Sequence, residues 1–348
     1  MNMNLKIFGQ NLVFENTKII SAIKILNQVK YKTLIIIDKK KKVIGSVTDG
    51  DIRRGLLKGF ELNQKIKHVA EKNSIKKIIG KKLEKTKKIK IAEVIPVVNS
   101  SGIIKDLEII DNKKKLIQKN RDDIEIILMA GGFGKRLMPY TKKIPKPLLK
   151  INNESILELA MKNFSKFGIN KFKISIYHKA IYIKNFFKKK KFNQYKIKYL
   201  EEKKPLGTAG CLTLLNYKDT KKNIIVYNGD VITDININNL IKFHEETKSD
   251  ITVCAKQYSN ASLYGEIFFQ GHKINKIVEK PIKQNFFNAG IYVLKKNMIK
   301  NIPTRSIDMT SFIEQKIKKG FSINIYPIYE YWVDIGNKDI FKQLIKKN

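Results

Sequence analysis

Cysteine is almost absent: the 348 residues hold two, Cys211 and Cys254. Two thiols make neither a disulfide framework nor a zinc cluster. They read instead as small buried apolar side chains. Histidine is also scarce. The four present, His68, His178, His244 and His272, share no metal-ligand spacing, so neither a histidine metal centre nor a histidine catalyst is expected. Long hydrophobic runs are missing as well. No stretch of 18 apolar residues occurs, which excludes a membrane-spanning helix. The opening MNMNLKIFGQNLVFENTK lacks the basic start, apolar run and small-residue cleavage site of a secretory leader. A cytoplasmic setting with reduced thiols is therefore expected.

Acidic residues are few. Lys and Arg number 70 against 31 Asp and Glu, a net charge of +39. Such an excess raises the question of a nucleic-acid partner. Residues 1–123 carry 29 basic and 13 acidic side chains, and the remainder carries 41 and 18. The excess is thus spread along the chain and not gathered in one arm. It is nearly all Lys, in a chain also rich in Ile and Asn, residues that share AT-rich codons. No ladder of stacking aromatics runs through the Lys clusters. Neither a nucleic-acid nor a membrane partner is expected.

What is present is an ordinary globular balance, 43% hydrophobic and 29% charged. The length suits two domains. Residues 1–118 read as a small α/β module. Ser21–Lys30 has helical apolar spacing, TLIIID and VIGSVT are strands, and Thr48-Asp49-Gly50-Asp51 opens a helix with good caps. A weaker copy follows: a polar helical stretch over residues 72–90, the strand EVIPVV, a turn at Asn99–Gly102 and the strand IIKDLEII. This spacing predicts an internal repeat. The charged segment Asp111–Asp123 reads as a linker. From Ile124 onward strands and helices alternate, which predicts an α/β, Rossmann-like domain over 124–348, with a mostly parallel sheet covered by helices on both faces.

Leu128–Leu149, LMAGGFGKRLMPYTKKIPKPLL, carries the most information. A buried strand runs into Gly131, Gly132 and Gly134, whose backbone can approach an anion and adopt positive φ. Arg136 and Lys146 add fixed positive charge. The segment is not a Walker A loop, and Leu137 occupies the place of the third glycine of the dinucleotide fingerprint. Asp230 and Asp334 each lie at a strand end, in NIIVYNGD and YWVD. Two carboxylates so placed can hold Mg²⁺, which favours oxygen ligands.

These motifs, together with EEKKPLGTAGCL, YNGDVI, LYGEI, VEKP, NAGIYVL and WVDIGNKDIF, resemble those of the sugar-phosphate nucleotidylyltransferases, in the family's order, from Ile124 to the last residue. One departure is Lys135, where most of the family has Thr or Ser. The resemblance implies that a sugar 1-phosphate oxygen attacks the α-phosphate of an NTP and that pyrophosphate leaves, with Mg²⁺ as cofactor. It implies catalytic roles for Arg136 at the β,γ-phosphates, Lys146 near the α-phosphate, and Asp230 and Asp334 on the metal. Gly131, Gly132, Gly134, Gly207, Thr208 and Gly210 would hold the nucleotide. Lys280 would anchor the sugar phosphate and Glu279 a sugar hydroxyl, with Gly265, Asn288 and Gly290 bordering the sugar.

IIIDKKKKVIGSVTDGDIRR, Ile35–Arg54, resembles the CBS domain, which in pairs binds adenine nucleotides. That resemblance implies phosphate contact at Thr48 and ribose contact at Asp51. Aligning Ile103 with Val43 puts Glu108 in the place of Thr48 and Asp111 in the place of Asp51, so one ligand site at most is expected. CBS pairs associate face to face, which implies a homo-oligomer. The domain order resembles that of bacterial guanylyltransferases of surface-glycan and nonulosonic-acid synthesis. The expected substrates are GTP and a hexose or hexosamine 1-phosphate. The competing expectations are a thymidylyl- or uridylyltransferase of the same family, or an inactive nucleotide sensor.

Overall fold

The computed structural model of the chain describes residues 10–81, 94–109, 123–300, 302–303 and 305–346. The chain divides into two compact units, Met1–Lys119 and Asn120–Asn348. The linker read at Asp111–Asp123 lies outside the described residues except for Asp123.

The first unit runs β1 (Leu12–Phe14), α1 (Ile19–Gln28), β2 (Thr33–Ile37), β3 (Val43–Thr48) and α2 (Asp49–Leu57). Ile19, Ala22, Ile23 and Leu26 recur on one face of α1 and are buried there. β2 is buried at every position, pairing parallel with β1 and antiparallel with β3. The order then recurs. β5 (Val94–Val98) pairs parallel with β4 (Lys77–Ile78) and antiparallel with β6 (Ile104–Ile109). Even the irregularities correspond: one bulge falls between Ile36 and Ile37, the other between Val97 and Val98. The two copies meet reciprocally. Val43 N–H donates to Gly102 O and Ile104 N–H to Lys41 O, both at 3.0 Å, and Lys42 bridges Ile103. Tyr31, Ile35 and Val43 of one copy share an apolar cluster with Val94, Ile104 and Leu107 of the other.

This register corrects the sequence alignment by one residue. Val43 corresponds to Ile104, not Ile103. Thr48, paired with Thr33, therefore corresponds to Ile109, paired with Val94. Two adjacent isoleucines made the slip invisible in the sequence. Glu108 is instead ion-paired to Lys77 at 2.6 Å, and Asp111 lies outside the described residues. The helix expected over residues 72–90 is also corrected in its described part. Residues 72–81 form turns and the short strand β4, because pairing with β5 overrides a weak helical pattern. Residues 82–90 are not described.

Thr48 and Asp51 form a complete capping box at α2. Asp51 N–H donates to Thr48 Oγ1 at 3.4 Å and Thr48 N–H to Asp51 Oδ2 at 2.8 Å. Thr48→Ala is expected to destabilise the first unit by about 1 kcal/mol, the usual cost of a lost N-cap. Chemical denaturation followed by circular dichroism checks this.

The second unit begins with β7 (Ile124–Met129), an inner strand of its sheet. It is followed by the small ribbon β8 (Lys150–Ile151) and β9 (Glu154–Ser155), α3 (Ile156–Ser165), β10 (Lys171–Ile176), α4 (Ala180–Phe187), β11 (Lys196–Glu201) and the single turn α5 (Gly207–Gly210). Then come β12 (Asn223–Asn228), β13 (Val231–Thr233), α6 (Ile237–Glu246), β14 (Ile251–Ala261), β15 (Glu266–Gln270), β16 (Lys273–Val278), β17 (Ile282–Lys295), α7 (Met309–Lys318), β18 (Ile323–Ile328), β19 (Trp332–Asp334) and α8 (Lys338–Lys346). The seven-stranded sheet has the order β11-β10-β7-β12-β17-β14-β18. It is mostly parallel: only the two pairings of β17 are antiparallel. Apart from Glu125, β7 is apolar at every position because both its faces are covered. Ile126 and Leu128 pack with Leu157, Met161 and Phe164 of α3 and Leu240 of α6. Ile127 faces the other way, into a cluster with Leu212, Met298 and Phe312. The helices thus lie on both sides of the sheet, as the alternation predicts.

Candidate active site

β7 and β12 are parallel neighbours whose last residues, Met129 and Asn228, stand side by side. The glycine loop and Gly229-Asp230 therefore leave the same carboxyl edge of the sheet, where open α/β folds bind ligands. The approach is so close that a Cβ on Gly229 would lie 2.1 Å from the Met129 carbonyl oxygen. Gly134 takes a left-handed conformation, φ +68°, and starts the single turn Lys135–Leu137. Thr141 Oγ1 donates to Gly134 O at 2.9 Å and closes the loop. Buried Leu137 fixes its base against Leu149, Ile335 and Phe341. Lys179 Nζ donates to the carbonyls of Thr141 and Lys142 at 2.6 and 2.7 Å.

Lys146 Nζ lies 2.5 Å from Asp230 Oδ2. Asp334 arrives from far along the chain because β13 and β19 pair antiparallel, with Val231 opposite Asp334. Ile335 N–H donates to Asp230 O at 3.0 Å and locks the two segments together. Asp334 Oδ1 is buried without a hydrogen-bond partner. Burial raises the Asp334 carboxyl above the usual carboxylate range. The Asp230 charge raises it further, while Lys146 and Arg136 pull it down. A buried, unpartnered carboxylate oxygen beside a second carboxylate fits a hard divalent cation. Among the described residues no group of three His, Cys, Asp or Glu converges. Asp230 and Asp334 are thus the two carboxylates that could hold a divalent cation here, with the rest of its oxygen shell coming from outside this pair.

A cavity of about 450 Å³ opens here. Gly131, Gly132, Gly134, Arg136, Lys146, Gly207, Thr208 and Asp230 all line it. Gly207 has φ +78°, and a Cβ there would lie 2.6 Å from Ile307 O. Thr208 Oγ1 accepts Met309 N–H at 2.7 Å and so caps α7. Gly210 is buried behind the cavity, its N–H donating to Ile307 O at 3.1 Å. Its amide is thus used in seating the loop.

The sequence-predicted sugar residues fall in two places. Gly290, φ +70°, packs on Asn228 so closely that a Cβ would lie 2.6 Å from Asn228 Nδ2. Asn288 Oδ1 accepts Gly290 N–H at 3.0 Å, and its Nδ2 donates to Tyr292 OH at 2.7 Å. Trp332 Nε1 donates to Ala289 O at 3.0 Å. These residues adjoin the end of β12. Gly265, Glu279 and Lys280 sit elsewhere, flanking the open end of the β15–β16 ribbon. A Cβ on Gly265 would lie 2.9 Å from Glu279 Oε2, Glu279 and Lys280 are exposed, and none of the three lines the cavity.

Four residues were not singled out by the sequence reading. Glu202 lines the cavity and accepts from Ser175 Oγ at 2.5 Å and Leu206 N–H at 2.9 Å. It belongs to the EEKKPLGTAGCL motif, which could have flagged it. Asp308, also in the lining, accepts Thr208 N–H at 3.3 Å and carries no sequence signal. Asn228 has a buried, unpartnered Oδ1, and Gly229 makes the close strand approach. Both precede Asp230 directly.

The family model described as Nucleotidyl transferase matches residues 125–347. The chain belongs to the nucleotidyl transferase family. A CBS domain model matches residues 12–58, which is the first of the two structural copies. Among curated nucleotidyl transferase relatives, the mannose-1-phosphate guanylyltransferase catalytic subunit beta of Danio rerio is 28% identical over 225 residues, 63% of this chain and 62% of that protein. A mannose-1-phosphate guanyltransferase of Yarrowia lipolytica is 30% identical over 225 residues, covering 62% and 61%. The chain spans about three-fifths of the length of these relatives. The crystal structure of HddC from Yersinia pseudotuberculosis matches with a TM-score of 0.52 and 25% identity over 64% of this chain and 98% of that one. HddC has also been solved complexed with GMP-PN, and that structure matches with a TM-score of 0.51. Among the described residues no helix is long and apolar enough to cross a membrane.

Proposed function

We propose that this chain joins an NTP to a sugar 1-phosphate, releasing pyrophosphate and forming an NDP-sugar. The observation that carries the reading is the convergence of Lys146, Asp230 and the unpartnered Asp334 at one strand edge, beside the glycine loop. Three polyanions meet in this reaction, so positioning and charge neutralisation dominate. An oxygen of the sugar 1-phosphate forms a bond to the α-phosphorus, and the bond from that phosphorus to the β-bridging oxygen breaks. The attacking oxygen is already ionised at neutral pH, so no general base is required. Asp230 and Asp334 would hold Mg²⁺, which when bound neutralises phosphate charge. Lys146 turns from Asp230 to the α-phosphate, Arg136 holds the β,γ-phosphates, and the glycine loop offers backbone amides. Asn288 and Gly290, beside the end of β12, take the sugar end, and the family resemblance assigns Lys280, Glu279 and Gly265 to it as well, although they lie outside the cavity lining.

GTP is the proposed nucleotide and a hexose or hexosamine 1-phosphate the acceptor, for surface-glycan or nonulosonic-acid synthesis in the cytoplasm. The names of the relatives and the GMP-PN complex of HddC support this reading. We assign residues 1–118 to a CBS pair that regulates or assembles the enzyme. An adenine nucleotide there would have to draw Thr48 and Asp51 out of their mutual capping bonds.

Pyrophosphate release with each NTP against a panel of sugar 1-phosphates tests the reading. GTP with mannose or glucosamine 1-phosphate is expected to turn over fastest, and only with Mg²⁺ present. Turnover with UTP or dTTP but not GTP would overturn the base assignment. No turnover with any pair would overturn the activity.

A further inference from the structure

We propose that Lys135 is a clamp for the departing phosphates: it holds the tail of the NTP and then the pyrophosphate that the tail becomes. Three cations line the cavity, Lys135, Arg136 and Lys146. Lys146 is engaged with Asp230 at 2.5 Å, and its side chain is only 12% exposed. Lys135 is exposed. Its Nζ lies 5.6 Å from the centroid of the Phe133 ring, and among the described residues no carboxylate pairs with it. An ammonium group without a counter-charge, at the wall of a cavity shaped by a glycine loop, is placed to meet a phosphate.

The loop holds this lysine to one side. Gly134 starts the turn Lys135–Leu137, and buried Leu137 anchors that turn from below. Phe133 packs edge-on to Tyr177, with ring centroids 5.9 Å apart, and against His178 at 5.0 Å. Both follow β10 directly, and His178 N–H donates to Gly131 O at 3.3 Å. In the sheet β7 lies between β10 and β12. The Lys135 ammonium, over Phe133, therefore stands on the β10 side of the loop. Asp230 follows β12, and Gly290 packs on Asn228 at its end.

This separation decides which phosphates Lys135 meets. In the proposed reaction, on which this role rests, the attacking and leaving oxygens lie roughly in line across the α-phosphorus. The sugar phosphate enters from the β12 side, so pyrophosphate departs toward the β10 side. The bond from the sugar phosphate oxygen to the α-phosphorus forms as the bond to the bridging oxygen breaks. The electron pair of the broken bond leaves with pyrophosphate, and no proton has to move. Lys135 thus places positive charge beside the group that gains negative charge. A cation–π contact at an exposed site is weak, so the ammonium exchanges the Phe133 ring for a phosphate readily.

Calorimetric titration of the full chain with inorganic pyrophosphate and Mg²⁺ tests this without turnover, and so independently of the base and the sugar. Lys135→Met keeps the stem and removes the charge. It is expected to weaken pyrophosphate binding about 10-fold, with the melting midpoint unchanged because the side chain is exposed. Lys135→Arg should recover most of the affinity, and the loss in Lys135→Met should shrink as salt screens exposed charges. In steady-state assays of Lys135→Met, the KM for GTP and, in the reverse direction, the KM for pyrophosphate should rise together while the KM for the sugar 1-phosphate holds. Parental pyrophosphate affinity in Lys135→Met would overturn the proposal. So would an equal loss in Lys135→Arg, a rise confined to the KM for the sugar 1-phosphate, or a parent chain that binds no pyrophosphate. A Lys135-dependent affinity for pyrophosphate in a chain that turns over no substrate pair would support the clamp and overturn the proposed reaction alone.

Discussion

Asp230→Asn is expected to lower turnover by about 10²–10³-fold, the loss typical of removing one preorganised electrostatic group, while the fold persists. The substitution is isosteric. The Asp230 side chain is a quarter exposed, so no core contact depends on its charge. The backbone bond from Ile335 N–H to Asp230 O is untouched, and β13 and β19 stay in register. What changes is the electrostatics. Lys146 loses the carboxylate 2.5 Å away. Asp334 loses the neighbouring negative charge that raises its carboxyl, and one buried oxygen without a partner is left as the main anionic ligand. A divalent cation then has one carboxylate in place of two. Two measurements separate this from a folding defect. The thermal midpoint should match the parent's, and Mn²⁺ binding in the presence of GTP, read by electron paramagnetic resonance, should weaken. Parental turnover and Mn²⁺ affinity in the variant would remove Asp230 from the metal site.

Much of this was legible in the sequence because it is local. The run IEIILM is apolar at nearly every position since it is buried on both faces, and glycines at its end mark a backbone that must bend and approach ligands. Thr48 and Asp51 signal a cap within a single turn. The parts that were not legible depend on pairings distant in sequence. Asp230 and Asp334 could each be placed at a strand end, but only the β13–β19 ribbon shows their segments locked together. Asp308 enters the cavity through contact with Thr208, 100 residues away. Helix α4 has two buried positions in eight, too few to make a clear stripe in the sequence. The one-residue slip in the repeat arose where Ile103 and Ile104 offer equal apolar matches. Only the two equivalent bulges reveal the true register.

Gly229 shows the same limit from the other side, since a glycine before an aspartate reads as a turn and nothing more. Gly229→Ala is expected to reduce both stability and turnover. The new Cβ would sit 2.1 Å from Met129 O and 3.4 Å from Pro147 Cγ, and the first of these neighbours is backbone. Met129 cannot easily yield. It is paired with Asn228 on one side and Ser175 on the other, and the next residue, Ala130, donates its N–H to Ser175 O at 2.8 Å. The strain must therefore move the Asn228–Asp230 segment. Overpacking of this kind costs about 1–3 kcal/mol, and each kcal/mol lowers the melting midpoint of a domain this size by about 2–4 °C. The displaced residue is Asp230, so the effect on turnover is larger. A misplacement of about 1 Å at a reacting centre can cost about 10²-fold. Gly132→Ala is the matched control, because a Cβ there meets nothing within 4 Å and the melting midpoint should hold. Melting curves and pyrophosphate release on both variants decide the point. A Gly229→Ala protein with the parental midpoint and turnover would show that the strand ends can part without disturbing Asp230, and that the close approach of β7 to β12 does not position the site.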